Sequence, residues 1–158
     1  MELFHSTNDE NLNMIDPDRV SASVDFGGLF CLPEANGSHG DYTYSCEVDE
    51  NNILESGVYI PGEKFDRFIK EELKVEISED EYDILLDLLC EARSVYSLDD
   101  EDKELMGRFF SLEDWEFALE VQAMRGQLTR FLGYDAAQME DEHGISHLVV
   151  KPLKMRKV

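Results

Sequence analysis

Gly133-Tyr134-Asp135-Ala136-Ala137-Gln138-Met139-Glu140-Asp141-Glu142-His143-Gly144-Ile145-Ser146-His147-Leu148-Val149-Val150 reads as a helix stop, a strand, a tight turn and a second strand. Side chains of a strand alternate, so Ala137, Met139 and Asp141 share one face of the first strand and Ala136, Gln138, Glu140 and Glu142 the other. The first set is apolar until Asp141, which therefore points to the interior at the strand end. His143-Gly144 lets the chain reverse into Ile145 to Val150. A register slip of one residue would bring in Glu140 or Glu142 instead. Alternatively, all three acids simply keep a sheet edge soluble.

Upstream of Gly133 the period is helical. Phe117, Val121, Met124, Leu128 and Phe131 recur at steps of four and three, and Ser111 with Asp114 is a weak cap for that helix. Ser78 and Glu81 form a capping box that opens an earlier helix with the apolar stripe Tyr82, Leu85, Leu86, Leu89 and Cys90. Phe65, Phe68, Ile69 and Leu73 line a further helical face after Pro61, and 98–103 is an acidic connector.

The first half reads as strands. Met1 to His5 is a short strand, 8–18 a loop, 20–26 loosely extended, and Gly27-Gly28 leads into the apolar run Leu29 to Leu32. Those glycines imply a backbone that approaches something closely. Residues 33–41 form a loop. Tyr42, Tyr44, Cys46 and Val48 share one face of a half-buried strand, and 53–60 extends the sheet. Strands, then helices, then a terminal hairpin give the α+β class.

The chain has 158 residues, enough for one domain with a real core. Its 36 acidic and 14 basic residues give a net charge of −22, which repels nucleic acid and anionic membranes and attracts a basic partner. Lys151, Lys154, Arg156 and Lys157 close the chain as a short basic tail. No apolar run reaches the length of a membrane span, and no signal peptide is visible. Cys31, Cys46 and Cys90 are odd in number and widely spaced, which fits buried thiols in a reducing cytoplasm.

Glycine-rich dinucleotide loops, phosphate-binding loops and serine-hydrolase elbows are absent, and His5, His39, His143 and His147 lack zinc-ligand spacing, so no metal is expected. His5 is a strand histidine followed by two hydroxyl residues, Ser6 and Thr7. It suits either packing or a polar ligand contact.

His5 in Leu-Phe-His-Ser-Thr, Gly28-Leu29-Phe30, Ser38 and an acid on a late strand together resemble the ADP-ribosyltransferase fold. The chain is most similar to small phage anti-CRISPR mono-ADP-ribosyltransferases of type I-F systems, through 1–5, 26–30 with Ser38-His39-Gly40, and 132–134 running into 139–144. The resemblance implies a mixed or antiparallel sheet core with a helical insertion over 61–110, all in one domain over 1–158. It implies NAD as co-substrate and no metal. His5 would bind the adenosine-side ribose, and the backbone of Ser6 and Thr7 the nicotinamide amide. Phe30 would pack on the nicotinamide, Ser38 would bond its amide, and Tyr42 would form a second aromatic wall. Ser6 departs from the family's usual glycine, and Phe30 from a frequent tyrosine. Asp141 would be the catalytic acid.

The implied function is mono-ADP-ribosylation of a basic, nucleic-acid-binding host protein, a CRISPR surveillance complex subunit, in the bacterial cytoplasm. Two other readings stay open on sequence alone. One is a non-enzymatic acidic mimic of DNA that binds the same kind of target stoichiometrically. The other is a transferase toxin with a different target.

Overall fold

The computed structural model describes residues 1–18, 26–37, 39–141 and 144–158, and the side chains of Asp114 and Asp141 fall outside that description. The described strands are β1 (Glu2–Thr7), β2 (Leu29–Cys31), β3 (Tyr42–Glu47), β4 (Ile53–Leu54), β5 (Ala136–Asp141), β6 (Gly144–Val149) and β7 (Arg156–Lys157). The α-helices are α1 (Gly62–Phe68), α2 (Glu79–Leu89), α3 (Asp100–Met106) and α4 (Asp114–Leu132). The extended stretch expected over 20–26 lies, but for Phe26, outside the described residues.

Two sheets form, β1-β3-β7 and β2-β6-β5-β4. They meet where Phe4 and Leu32 exchange backbone hydrogen bonds of 2.8 and 2.7 Å. The terminal hairpin is antiparallel, in register from Ala136 opposite Val149 to Asp141 opposite Gly144. Its alternation sets two cores. Ala137, Met139 and Leu148 pack with the helices, while Ala136 and Val149 pack with Leu3, Cys31, Tyr44 and Cys46 between the sheets. Strand β6 lies between β2 and β5, so Ser146, His147, Leu148 and Val149 are all buried. A central strand covered on both faces loses the polar alternation of a surface strand. The close approach expected of Gly27-Gly28 is real, because a Cβ on Gly28 would lie 2.4 Å from the Val149 carbonyl oxygen.

Only Ile53 and Leu54 of the expected 53–60 extension pair, and they run parallel to β5. Beyond them the outer edge of β5 has no described strand, and side chains take its backbone groups. The Arg125 guanidinium donates to the Gln138 carbonyl at 3.2 and 3.1 Å, and the Glu140 amide donates to the Glu91 carboxylate at 3.3 Å. Arg125 also donates to the carbonyls of Leu54, Glu55 and Leu89. It is 1% exposed, and its charge is balanced by Glu91 at 3.9 Å.

Buried Arg125 corrects the expected stripe of α4. The inward positions are Phe117, Val121, Arg125, Leu128 and Thr129, while Met124 and Phe131 are half-buried on its flank. Ser111 does not cap this helix, whose N-cap is Glu113, but Gly133 ends it at φ 83°, in the left-handed region open to glycine. The Ser78–Glu81 capping box is present on α2, and its stripe is rotated to Ile84, Leu85, Leu88 and Leu89. The acidic connector is partly helix α3, where Asp99 accepts from the Asp102 amide at 2.9 Å and three acids face the positive helix start. The basic tail is not free, since Arg156 and Lys157 pair with β3. Among the described residues no helix is long and apolar enough to cross a membrane.

Candidate active site

A cavity of 260 Å³ opens where β1 crosses β2 and the loop after β2 folds over them. Phe4, His5, Ser6, Phe30, Leu32, Gly144 and Ser146 line it from the strands, and Glu34, Asn36 and His39 from the loop. Its volume suits one nucleoside-sized end of a dinucleotide, below the usual range for whole small-molecule sites. A larger open cleft of 660 Å³ runs along α4, and Phe26 on its lining makes an edge contact with Phe30 of this site at 5.0 Å.

His5 donates from Nδ1 to the Phe30 carbonyl at 2.8 Å, since a carbonyl can only accept. Burial lowers the His5 pKa, the hydrogen bond to Phe30 works against that, and His39 lowers it further. The ring is therefore neutral near pH 7, and Nε2 is left as an acceptor. Its proton linkage has a definite sign. As pH falls through the ordinary histidine range near 6.5, the unfolded chain takes up the proton first. The stability contributed by neutral His5 is full above that range and declines below it.

Ser146 was not expected from the sequence. It is 5% exposed, lines the cavity, and its hydroxyl has no hydrogen-bond partner among the described residues. A buried unpaired hydroxyl costs free energy unless a ligand or water meets it. The sequence signal was weak, a polar residue inside an apolar run, and only the sheet pairing turns it to the cavity. Cross-strand partners share a face, so the pairs Phe30–Leu148, Ala137–Leu148, Met139–Ser146 and Asp141–Gly144 put position 141 in phase with Phe30 and Ser146. Glu140 pairs with Ile145 on the opposite phase.

His5, Ser6 and Phe30 are thus brought together at the cavity. Thr7 and Tyr42 face each other at the end of the β1–β3 ladder, outside its lining. The Thr7 hydroxyl accepts from the Asp9 amide at 3.2 Å, and the Tyr42 ring stands 4.2 Å from the Lys157 ammonium. Ser38, Glu142 and His143 lie outside the described residues, as does the side chain of Asp141.

The family model described as "Anti-CRISPR Type I-F ADP-ribosyltransferase AcrIF11" matches residues 1–157. The chain belongs to this family. It is an anti-CRISPR enzyme of the NAD-dependent mono-ADP-ribosyltransferase kind, with NAD as co-substrate, and its two-sheet α+β architecture is the ADP-ribosyltransferase-like fold. The transferase is also similar to a solved structure titled "Crystal structure of an anti-CRISPR protein", at 25% identity and a TM-score of 0.52. That likeness covers 100% of this chain and 95% of the other. No curated protein matches the transferase by sequence.

Proposed function

We propose that the transferase moves one ADP-ribosyl group from NAD to a side chain of a nucleic-acid-binding subunit of a type I-F CRISPR surveillance complex, and so blocks DNA recognition. The reading rests above all on the shared cavity, where His5, Ser6, Phe30 and Ser146 converge and where Asp141 stands opposite a lining residue, Gly144.

In this reading the nicotinamide end of NAD occupies the cavity. Phe30 packs on the pyridinium ring, and the backbone of Ser6, with Ser38, holds its amide. The Nε2 acceptor of His5 takes a hydrogen bond from the adenosine-side ribose. The bond between C1′ of the other ribose and the pyridinium nitrogen breaks, and nicotinamide leaves with the electron pair. Positive charge grows on the sugar, and the Asp141 carboxylate, accepting from a ribose hydroxyl, stabilises it most in the transition state. The acceptor nucleophile then bonds to C1′ and gives up its proton. The product carries two new phosphate charges on a surface built to meet DNA phosphates, which obstructs binding by bulk and by repulsion.

The test compares the native enzyme with Asp141→Ala on purified type I-F surveillance complex and labelled NAD. One dominant labelled subunit is expected, with the rate reduced about a hundredfold or more in the variant, as for loss of an electrostatic transition-state contact. DNA binding blocked equally well without NAD, and by Asp141→Ala, would replace this reading with stoichiometric acidic mimicry, to which the −22 charge is also suited.

A further inference from the structure

The outer edge of β5 is flanked by a second feature that the chemistry above does not use. A groove of 470 Å³ runs between the end of α2, the segment 91–97 and the first turns of α4, and reaches Glu140 on β5. Leu88, Val95 and Val121 are buried along it. On the same lining, Tyr96 is 78% and Trp115 59% exposed. Tyr96 sits in the 3₁₀ turn Val95–Ser97, and Trp115, the one tryptophan of the chain, in the first turn of α4. Leaving two large aromatics in water beside one groove is costly for a monomer and characteristic of an interface.

The surrounding charge says what kind of surface fits. Glu91 and the exposed Glu140 line the groove, and Asp99, Asp100 and Glu101, shortly after Tyr96 in the chain, and Glu113, two positions before Trp115, are also exposed. Among the described residues lining the groove the one cation is Arg93, and it is paired with Asp102. Aromatic faces beside carboxylates are the chemistry that binds guanidinium groups, through cation–π contact and charge-assisted hydrogen bonds. A second copy of this chain, also at −22, would be repelled.

We propose that this groove docks the acceptor protein through arginine side chains of its nucleic-acid-binding surface, which rests on the transfer reading for the identity of the partner. Glu140 immediately precedes Asp141, so a surface seated here lies beside the strand that carries the proposed acid. The groove then selects which protein is modified, while the cavity cleaves NAD.

The two functions separate experimentally. Tyr96→Ala, Trp115→Ala and the double variant are compared with the native enzyme in three measurements. These are nicotinamide release from NAD without acceptor, steady-state modification of purified type I-F surveillance complex, and calorimetric binding of that complex without NAD. Both residues are exposed, so unchanged melting temperatures are expected. The double variant should raise KM for the complex about tenfold or more, as hot-spot truncations do, with acceptor-free nicotinamide release within about twofold of native. Trp115→Arg should lose more than Trp115→Ala, and Trp115→Phe should recover most of the loss. An unchanged KM and unchanged binding in the double variant overturn the docking proposal and leave the transfer reading intact. A native enzyme that binds the complex but, given NAD, modifies none of its subunits overturns the transfer reading. Loss of that binding in the double variant would still uphold the groove.

Discussion

Ser146 lines the cavity, and its hydroxyl is buried with no hydrogen-bond partner among the described residues, which makes opposite demands on stability and on function. Removing an unsatisfied buried hydroxyl relieves a desolvation penalty, whereas removing one that meets a ligand loses a hydrogen bond. Ser146→Ala is therefore expected to melt at or above the native temperature while KM for NAD rises roughly three- to tenfold, the equivalent of one neutral hydrogen bond. Thermal melts and nicotinamide-release kinetics on one preparation read both signs. A lower melting temperature with unchanged KM would make Ser146 a packing residue. His5 was legible as a candidate because it lies on a strand and is followed by two hydroxyl residues, Ser6 and Thr7. Its tautomer was not, because the deciding acceptor is the Phe30 carbonyl on another sheet. Tyr42 was legible as a half-buried strand residue, but the partner of its ring is Lys157, supplied by a tail whose pairing no local pattern announces.

At the scale of elements, α4 and β5 are the parts on which the proposed acid depends. Arg125 ties the helix to carbonyls of α2, β4 and β5 that lie 13 to 71 positions away along the chain. One residue on, Gly126 lets α4 approach the sheet. A Cβ there would lie 2.6 Å from the Leu148 side chain and 2.8 Å from the Phe26 carbonyl oxygen. Two effects compete in Gly126→Ala. Helix propensity favours alanine by about 1 kcal/mol. Overpacking against a backbone atom, which cannot rotate aside, costs about 1–3 kcal/mol. The clash should win, so a lower melting temperature is expected by calorimetry. A weaker grip on NAD should accompany it, because Phe26 packs edge-on against Phe30. A higher melting temperature would show that the helix backs away freely. The capping box of α2, the glycine stop of α4 and the β5–β6 hairpin were all legible, because each is set by residues within a few positions of one another. The buried arginine stripe was not, since a charged residue reads as solvent-facing until its carbonyl partners are known.

For the whole molecule, a charge of −22 is the dominant long-range fact. It acts on encounter with a basic partner, over distances that salt shortens to about 8 Å at 0.15 M ionic strength. Raising salt from low to moderate concentration should therefore raise KM for the surveillance complex several-fold while acceptor-free nicotinamide release changes little. Initial rates across a salt series check this. A parallel fall of both activities would trace the salt effect to the NAD site rather than to encounter with the partner.

The sequence by itself determined the α+β class, the terminal hairpin, the helix stops and the family resemblance. Alternation, caps and short motifs are local, and they hold wherever the segment finally packs. Only the tertiary structure decided which polar residues line the cavity, that β4 runs parallel to β5, that Arg125 is buried, and that Tyr96 and Trp115 stand beside a groove that reaches Glu140. Each of those outcomes depends on neighbours contributed by distant parts of the chain, and burial there reverses what composition alone would suggest.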